Sequence, residues 1–94
     1  MPDIVISEHA HERMKERLGL PKSARQAAAV RAFLLGRQRD EIDPRLRKYL
    51  DGKREYEGSH GFRVYGNHVF VFTGYRLITV YEIPKHLRGG AGAA

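Results

Sequence analysis

Three side chains toward the C-terminal end of the chain, Tyr65, His68 and Tyr81, are of types that exchange protons, and the spacing around them predicts a shared surface. An imidazole between two phenols can supply the base and the acid of a phosphodiester transfer, and Arg63 beside them can offset charge building on phosphorus. The segment that unites them, GFRVYGNHVFVFTGYRLITVYEI over 61–83, reads as a three-stranded antiparallel meander. Gly66-Asn67 and Gly74-Tyr75 are two-residue loops with glycine first, suited to type II′ turns, so Tyr65 should face His68 and Thr73 should face Arg76. Uninterrupted alternation then puts Phe62, Val64, Val69, Val71, Ile78 and Val80 on an aliphatic face. Arg63, Tyr65, His68, Phe70, Phe72, Leu77, Thr79 and Tyr81 fall on the other, with Tyr81 beside His68 on the next strand.

The elements that must hold this sheet precede it. Ile4 to Ile6 is a short apolar strand, and Ser7 is the expected N-cap of a helix running to about Leu18 and closed by Gly19. Pro21 starts a second helix through KSARQAAAVRAFLLG, whose alanines permit close approach to a neighbour. Asp43-Pro44 starts a short third helix that Asp51-Gly52 ends. Residues 53–60 read equally as a loop or an irregular edge strand, and KHLR after Pro84 as a single turn. The order predicts an α+β fold with the N-terminal helices on one face of a C-terminal antiparallel sheet. The helices should cover the aliphatic face and leave the mixed face available. Residues 1–88 are expected to form one domain, and 89–94 a flexible Gly/Ala tail.

On the first helix His9, Arg13 and Arg17 recur at i, i+4 and i+8, a polar stripe that drifts only about 40° per step and borders Ala10, Met14 and Leu18. Such a stripe can grip a phosphate at the rim of the sheet. On composition alone the stripe reads first as an ordinary surface salt-bridged by the interleaved Glu8, Glu12 and Glu16.

The charge balance of the whole chain makes RNA or DNA the first partner class to test. The 94 residues carry a formal net charge of +6, and twelve of the 17 basic residues are arginine, whose planar fork of donors suits phosphate oxygens. A second basic cluster, Arg37, Arg39, Arg45, Arg47, Lys48, Lys53 and Arg54, is diluted by Asp40, Glu41, Asp43 and Asp51. The composition, 41% hydrophobic and 30% charged, is that of a folded soluble domain, with no apolar run approaching a membrane span and no signal-peptide pattern at the N-terminus. The absence of cysteine fits a reducing cytoplasm and excludes thiolate metal sites. The five histidines include no metal-binding pair on one helix face, and no glycine-rich nucleotide loop is present, so neither metal nor cofactor is expected.

The segment SEHAHERMKERLGL, with Ser7, His9, Ala10, Arg13, Met14 and Arg17 in a Ser-x-His-Ala-x-x-Arg-Met-x-x-Arg pattern, resembles the opening of a family of small bacterial and phage proteins of unassigned function. Ile78, Thr79 and Val80 match its closing strand, and RVYGNHVFVF and YEIP extend the likeness to roughly two thirds of the chain, leaving 37–59 undiagnostic. That family is similar to the RelE and BrnT toxin group, small metal-independent ribonucleases whose helices pack on one face of a curved antiparallel sheet while the other face handles RNA. The resemblance implies a cytoplasmic, toxin-type RNA-binding or RNA-cleaving domain acting on RNA or the ribosome. Tyr65, His68 and Tyr81 would be catalytic, and His9, Arg13, Arg17, Arg63, Lys85 and Arg88 would hold phosphate while Phe70 and Phe72 stack on bases.

A second function stays open. Phe70, Phe72 and Leu77 are apolar enough to call for cover by the third helix, a homodimer partner, an antitoxin or a host target. The chain would then be a noncatalytic phage-type protein that binds and inhibits a nucleic-acid-handling host protein.

Overall fold

Ser7 closes a two-residue strand, β1 (Val5–Ile6), and opens α1 (Glu8–Leu18), where its hydroxyl accepts from the Ala10 amide at 3.1 Å. In the computed structural model, which describes residues 3–52 and 61–87, these are followed by α2 (Lys22–Leu35), a 3₁₀ turn (Arg39–Glu41) and α3 (Pro44–Asp51). Then come β2 (Gly61–Tyr65), β3 (His68–Thr73), β4 (Arg76–Glu82) and a last 3₁₀ turn (Lys85–Leu87). Asp43 caps α3 through the Arg45 amide, with Pro44 at its first turn. The expectations for residues 53–60, Arg88 and the 89–94 tail fall outside the described residues.

The fold is α+β, with helices N-terminal to a four-stranded mixed sheet of order β1-β4-β3-β2. The meander is present, and both hairpins have the expected closing pairs, Tyr65 with His68 and Thr73 with Arg76. Gly66 and Gly74 sit at φ 62° and 59°, while the residues that follow them stay at negative φ, the combination a type II′ turn requires. β1 joins the sheet parallel to β4, which makes the sheet mixed rather than purely antiparallel.

Two expectations about the sheet are overturned. The first concerns register along β4: pairing slips between Val71 and Phe72, so Phe72 still faces Leu77 but Val71 faces Thr79, Phe70 faces Val80 and Val69 faces Tyr81. Ile78 is the extra residue of a β-bulge, and everything after it points to the opposite face from that given by unbroken alternation.

The second concerns which face is covered. α1 lies along β4 and α2 reaches across β2 and β3, both over the face bearing Phe70, Phe72, Leu77 and Val80. Ala29 and Ala32 let α2 approach closely, and the two phenylalanines fill the space that the small side chains leave. The aliphatic face is covered by Ile42, α3 and the last 3₁₀ turn, with Ile42, Leu46, Leu50 and Leu87 packed on Val64, Val69, Val71, Tyr81 and Ile83. No open sheet face remains for Phe70 and Phe72, each 2% exposed. Burying each is worth about 1.5–3 kcal/mol, which makes them core residues rather than stacking platforms for bases.

Candidate nucleic-acid interface

The bulge at Ile78 decides which side chains meet. Tyr65 and His68 remain directly opposite one another, both half-buried, but the residue opposite His68 on β4 is Glu82. Tyr81 turns to the α3 side, where it is 6% exposed and part of the core. The expected trio is therefore split, and the row that forms is Tyr65, His68 and Glu82, with Cβ atoms of opposed neighbours about 4.5–5.5 Å apart. A phenol, an imidazole and a carboxylate in one row can pass a proton. Glu82 was missed because its place in the row becomes visible only once one residue of LITVYE is counted out of the ladder. The Ile83 amide donates to the Asn67 carbonyl at 2.9 Å, which holds the turn bearing exposed Lys85 at the same end of the sheet.

The family-like N-terminal pattern is largely structural. The Ser7 hydroxyl also donates to the Ile78 carbonyl at 3.0 Å, and Arg17 reaches from the last turn of α1 to the Val80 carbonyl at 2.8 Å. Ala10 and Met14 are fully buried, while Arg13 is bound to both carboxylate oxygens of Glu16 at 3.0 and 3.1 Å. His9 alone of the stripe stands exposed without such a bond. The stripe was expected to be able to hold a phosphate, but Arg13 and Arg17 have partners inside the domain.

Other arginines behave alike. Arg25 donates to the Leu20 carbonyl, and Arg47 donates to those of Arg39 and Ile42. Arg39 pairs with Asp51 at 2.9 and 2.6 Å, a charge-assisted hydrogen bond that holds the carboxyl below its ordinary pKa and the guanidinium above its own. Among the described residues Arg31, Arg37 and Arg76 keep guanidinium groups outside any hydrogen bond or ion pair, so the arginine excess read as phosphate affinity is in good part a set of backbone clamps.

Arg63 is both clamp and surface. Its Nε donates to the Phe33 carbonyl at 3.2 Å and its Nη1 to the Phe62 carbonyl at 3.1 Å, so it satisfies one of the orphan carbonyls that end α2 and sets a cation at the negative end of that helix. The guanidinium carbon stands 5.0 Å from the centre of the Phe33 ring, which also meets Phe72 edge-on at 5.2 Å and Tyr75 at 5.4 Å. Phe33, Phe72 and Arg63 line a 260 Å³ cleft together with Gln38, Gly61 and Gly74, next to Tyr75 in the chain. Gly36 presses on the same spot, for a Cβ there would lie 2.7 Å from that of Arg63. Tyr75, 61% exposed at its hairpin tip, and Phe33 were not among the expected site residues. The signal for Tyr75 was an aromatic ring at the second position of a tight turn, where packing does not require one.

Among the described residues no group of three or more His, Asp or Glu side chains gathers as for a metal, and no helix is long and apolar enough to cross a membrane. Comparison of the chain with protein-family models, curated proteins and solved structures returned no match.

Proposed function

We propose that the chain is a RelE-like, toxin-type RNA-binding domain that cleaves RNA without a metal, with His68 as its proton-transfer group. The observation that carries this reading is the cross-strand row Tyr65–His68–Glu82 at the rim of a domain with net charge +6. In this reading the His68 imidazole takes the proton of a ribose 2′-hydroxyl as that oxygen bonds to phosphorus. The 5′-oxygen leaves with the proton of Tyr65, and the products are a 2′,3′-cyclic phosphate and a 5′-hydroxyl. Glu82 favours the imidazolium that forms, and Lys85 offsets charge on the phosphoryl oxygens. The element order of strand, two helices and meander supports the RelE-like assignment, whereas α3 stands on the face that such a fold would leave for RNA. In this reading RNA contact is at the ends of the sheet.

The test is cleavage of RNA, free and on translating ribosomes, in the presence of a chelator. His68→Ala should lower the rate by about 10²–10⁴. Intact RNA under both conditions with the unaltered chain would remove cleavage from the proposal.

The exposed side chains of Val5, Leu34, Leu35 and Tyr75 favour a second reading, a noncatalytic phage-type protein that binds and inhibits a nucleic-acid-handling host protein. Capture of one protein partner in a salt-insensitive complex, with no RNA bound at low salt, would select it.

A further inference from the structure

We infer that the cleft between α2 and the Gly74 turn takes one unstacked base of single-stranded RNA, with the flanking phosphates held by Arg76 and Arg37. This rests on the RNA-binding part of the proposed function and is independent of cleavage. Four features converge on such an occupant. The 260 Å³ volume is just under the roughly 300 Å³ at which pockets for drug-sized ligands begin, a size for a single planar group. Its walls include the half-buried Phe33 ring and the Arg63 guanidinium, surfaces on which a base stacks, and Arg63 is fixed there by the Phe33 and Phe62 carbonyls rather than left to be ordered by the ligand.

The polar character is of the right sign. Among the described residues the lining includes no Asp or Glu, and the side chain of Gln38, which also caps the 3₁₀ turn, brings an amide to the cleft. Arg37 immediately precedes Gln38 and Arg76 immediately follows Tyr75, and these are two of the three described arginines whose guanidinium groups have no hydrogen bond or ion pair. Finally, the rim is open where side chains would close it. Gly61 and Gly74 both border the cleft, and a Cβ on Gly61 would lie 3.6 Å from Arg63 Nη1. Tyr75, braced against Phe33, is positioned to stack on the outer side of an entering base.

The experiment uses the full chain with a short oligouridylate at low salt, measuring affinity and mapping photochemical cross-links by mass spectrometry. Gly61→Val narrows the cleft in a strand position without removing a polar group, and Tyr75→Ala removes the outer ring from an exposed turn. Each should weaken binding roughly tenfold with an unchanged thermal transition, and cross-links should map to Tyr75 or Phe33. If the unaltered chain binds but both variants bind within twofold of it and cross-links fall elsewhere, the cleft is not the site and RNA binding itself stands. If the unaltered chain binds no oligouridylate or longer RNA, both the cleft and the RNA-binding reading fall.

Discussion

Arg17 Nη1 stands 2.8 Å from the carbonyl oxygen of Val80, so a guanidinium from the end of α1 completes the hydrogen bonding of β4 where β1 has already stopped. The Ser7 hydroxyl does the same one step earlier, at Ile78. Both carbonyls face α1 because the bulge reverses the sense of β4 after Leu77.

Arg17→Met, which keeps the aliphatic stem and removes the donor, should therefore destabilise the domain by about 1–2 kcal/mol, the lower range for hydrogen bonds from charged groups because the side chain is partly solvated. A lower urea midpoint at unchanged m-value would record it. The salt dependence of RNA binding should not change, since a cation spent on Val80 neutralises no phosphate; a shallower slope would show the opposite.

Ser7 both accepts from Ala10 and donates to Ile78, and different replacements separate the two bonds. Ser7→Thr should be nearly neutral. Ser7→Asp retains the cap acceptor but sets a carboxylate against the Ile78 carbonyl, so it should be less stable than Ser7→Thr, and Ser7→Ala should lose about 1–2 kcal/mol. Equal stability of the Asp and Thr variants in thermal unfolding would mean that the bond to β4 contributes nothing.

Thr79 is 1% exposed, and its Oγ1 has no hydrogen-bond partner among the described residues. A buried hydroxyl in that state costs about 1–3 kcal/mol, and valine fills the same volume with higher strand preference. Thr79→Val should raise the unfolding midpoint, by about 1 kcal/mol in stability after allowance for relaxation. A drop in midpoint would indicate that the hydroxyl is satisfied.

The Arg39–Asp51 pair makes a prediction about acid. The folded pKa of Asp51 lies below its ordinary value of 3.8, chiefly through the hydrogen bond from Arg39. The pair therefore contributes above the ordinary carboxylate range and is lost as pH falls through the lowered pKa. The chain should exceed Asp51→Asn in stability near neutrality by a small, salt-screened margin that closes at the acid end of a pH series. A margin that widens toward low pH would have the wrong sign for this pair.

The local signals in the sequence were strong where chemistry permits few alternatives. Glycine at positive φ fixed both hairpins, and Ser7 and Asp43 marked helix starts because few side chains can cap. The bulge was illegible for a physical reason: in LITVY every residue is a good strand former, so neither register buries an obviously wrong side chain. The choice between sheet faces was obscured in the same way, since Phe70 and Phe72 on one side and Val69 and Val71 on the other are both fit for burial. Complementarity of size decided it, alanine-rich α2 against the phenylalanines. The candidate site inherited the register error at the bulge, which keeps Tyr65 opposite His68 but puts Glu82 rather than Tyr81 beside it.

The way α1 closes the edge of β4 also bears on how the domain behaves in company. An uncapped strand edge is a template on which other chains can polymerise, and here side chains and a two-residue strand occupy it. Weakening Ser7 and Arg17 together would uncover a run of carbonyls between two apolar faces, so such a variant would be lost from solution by self-association before it unfolded as a monomer.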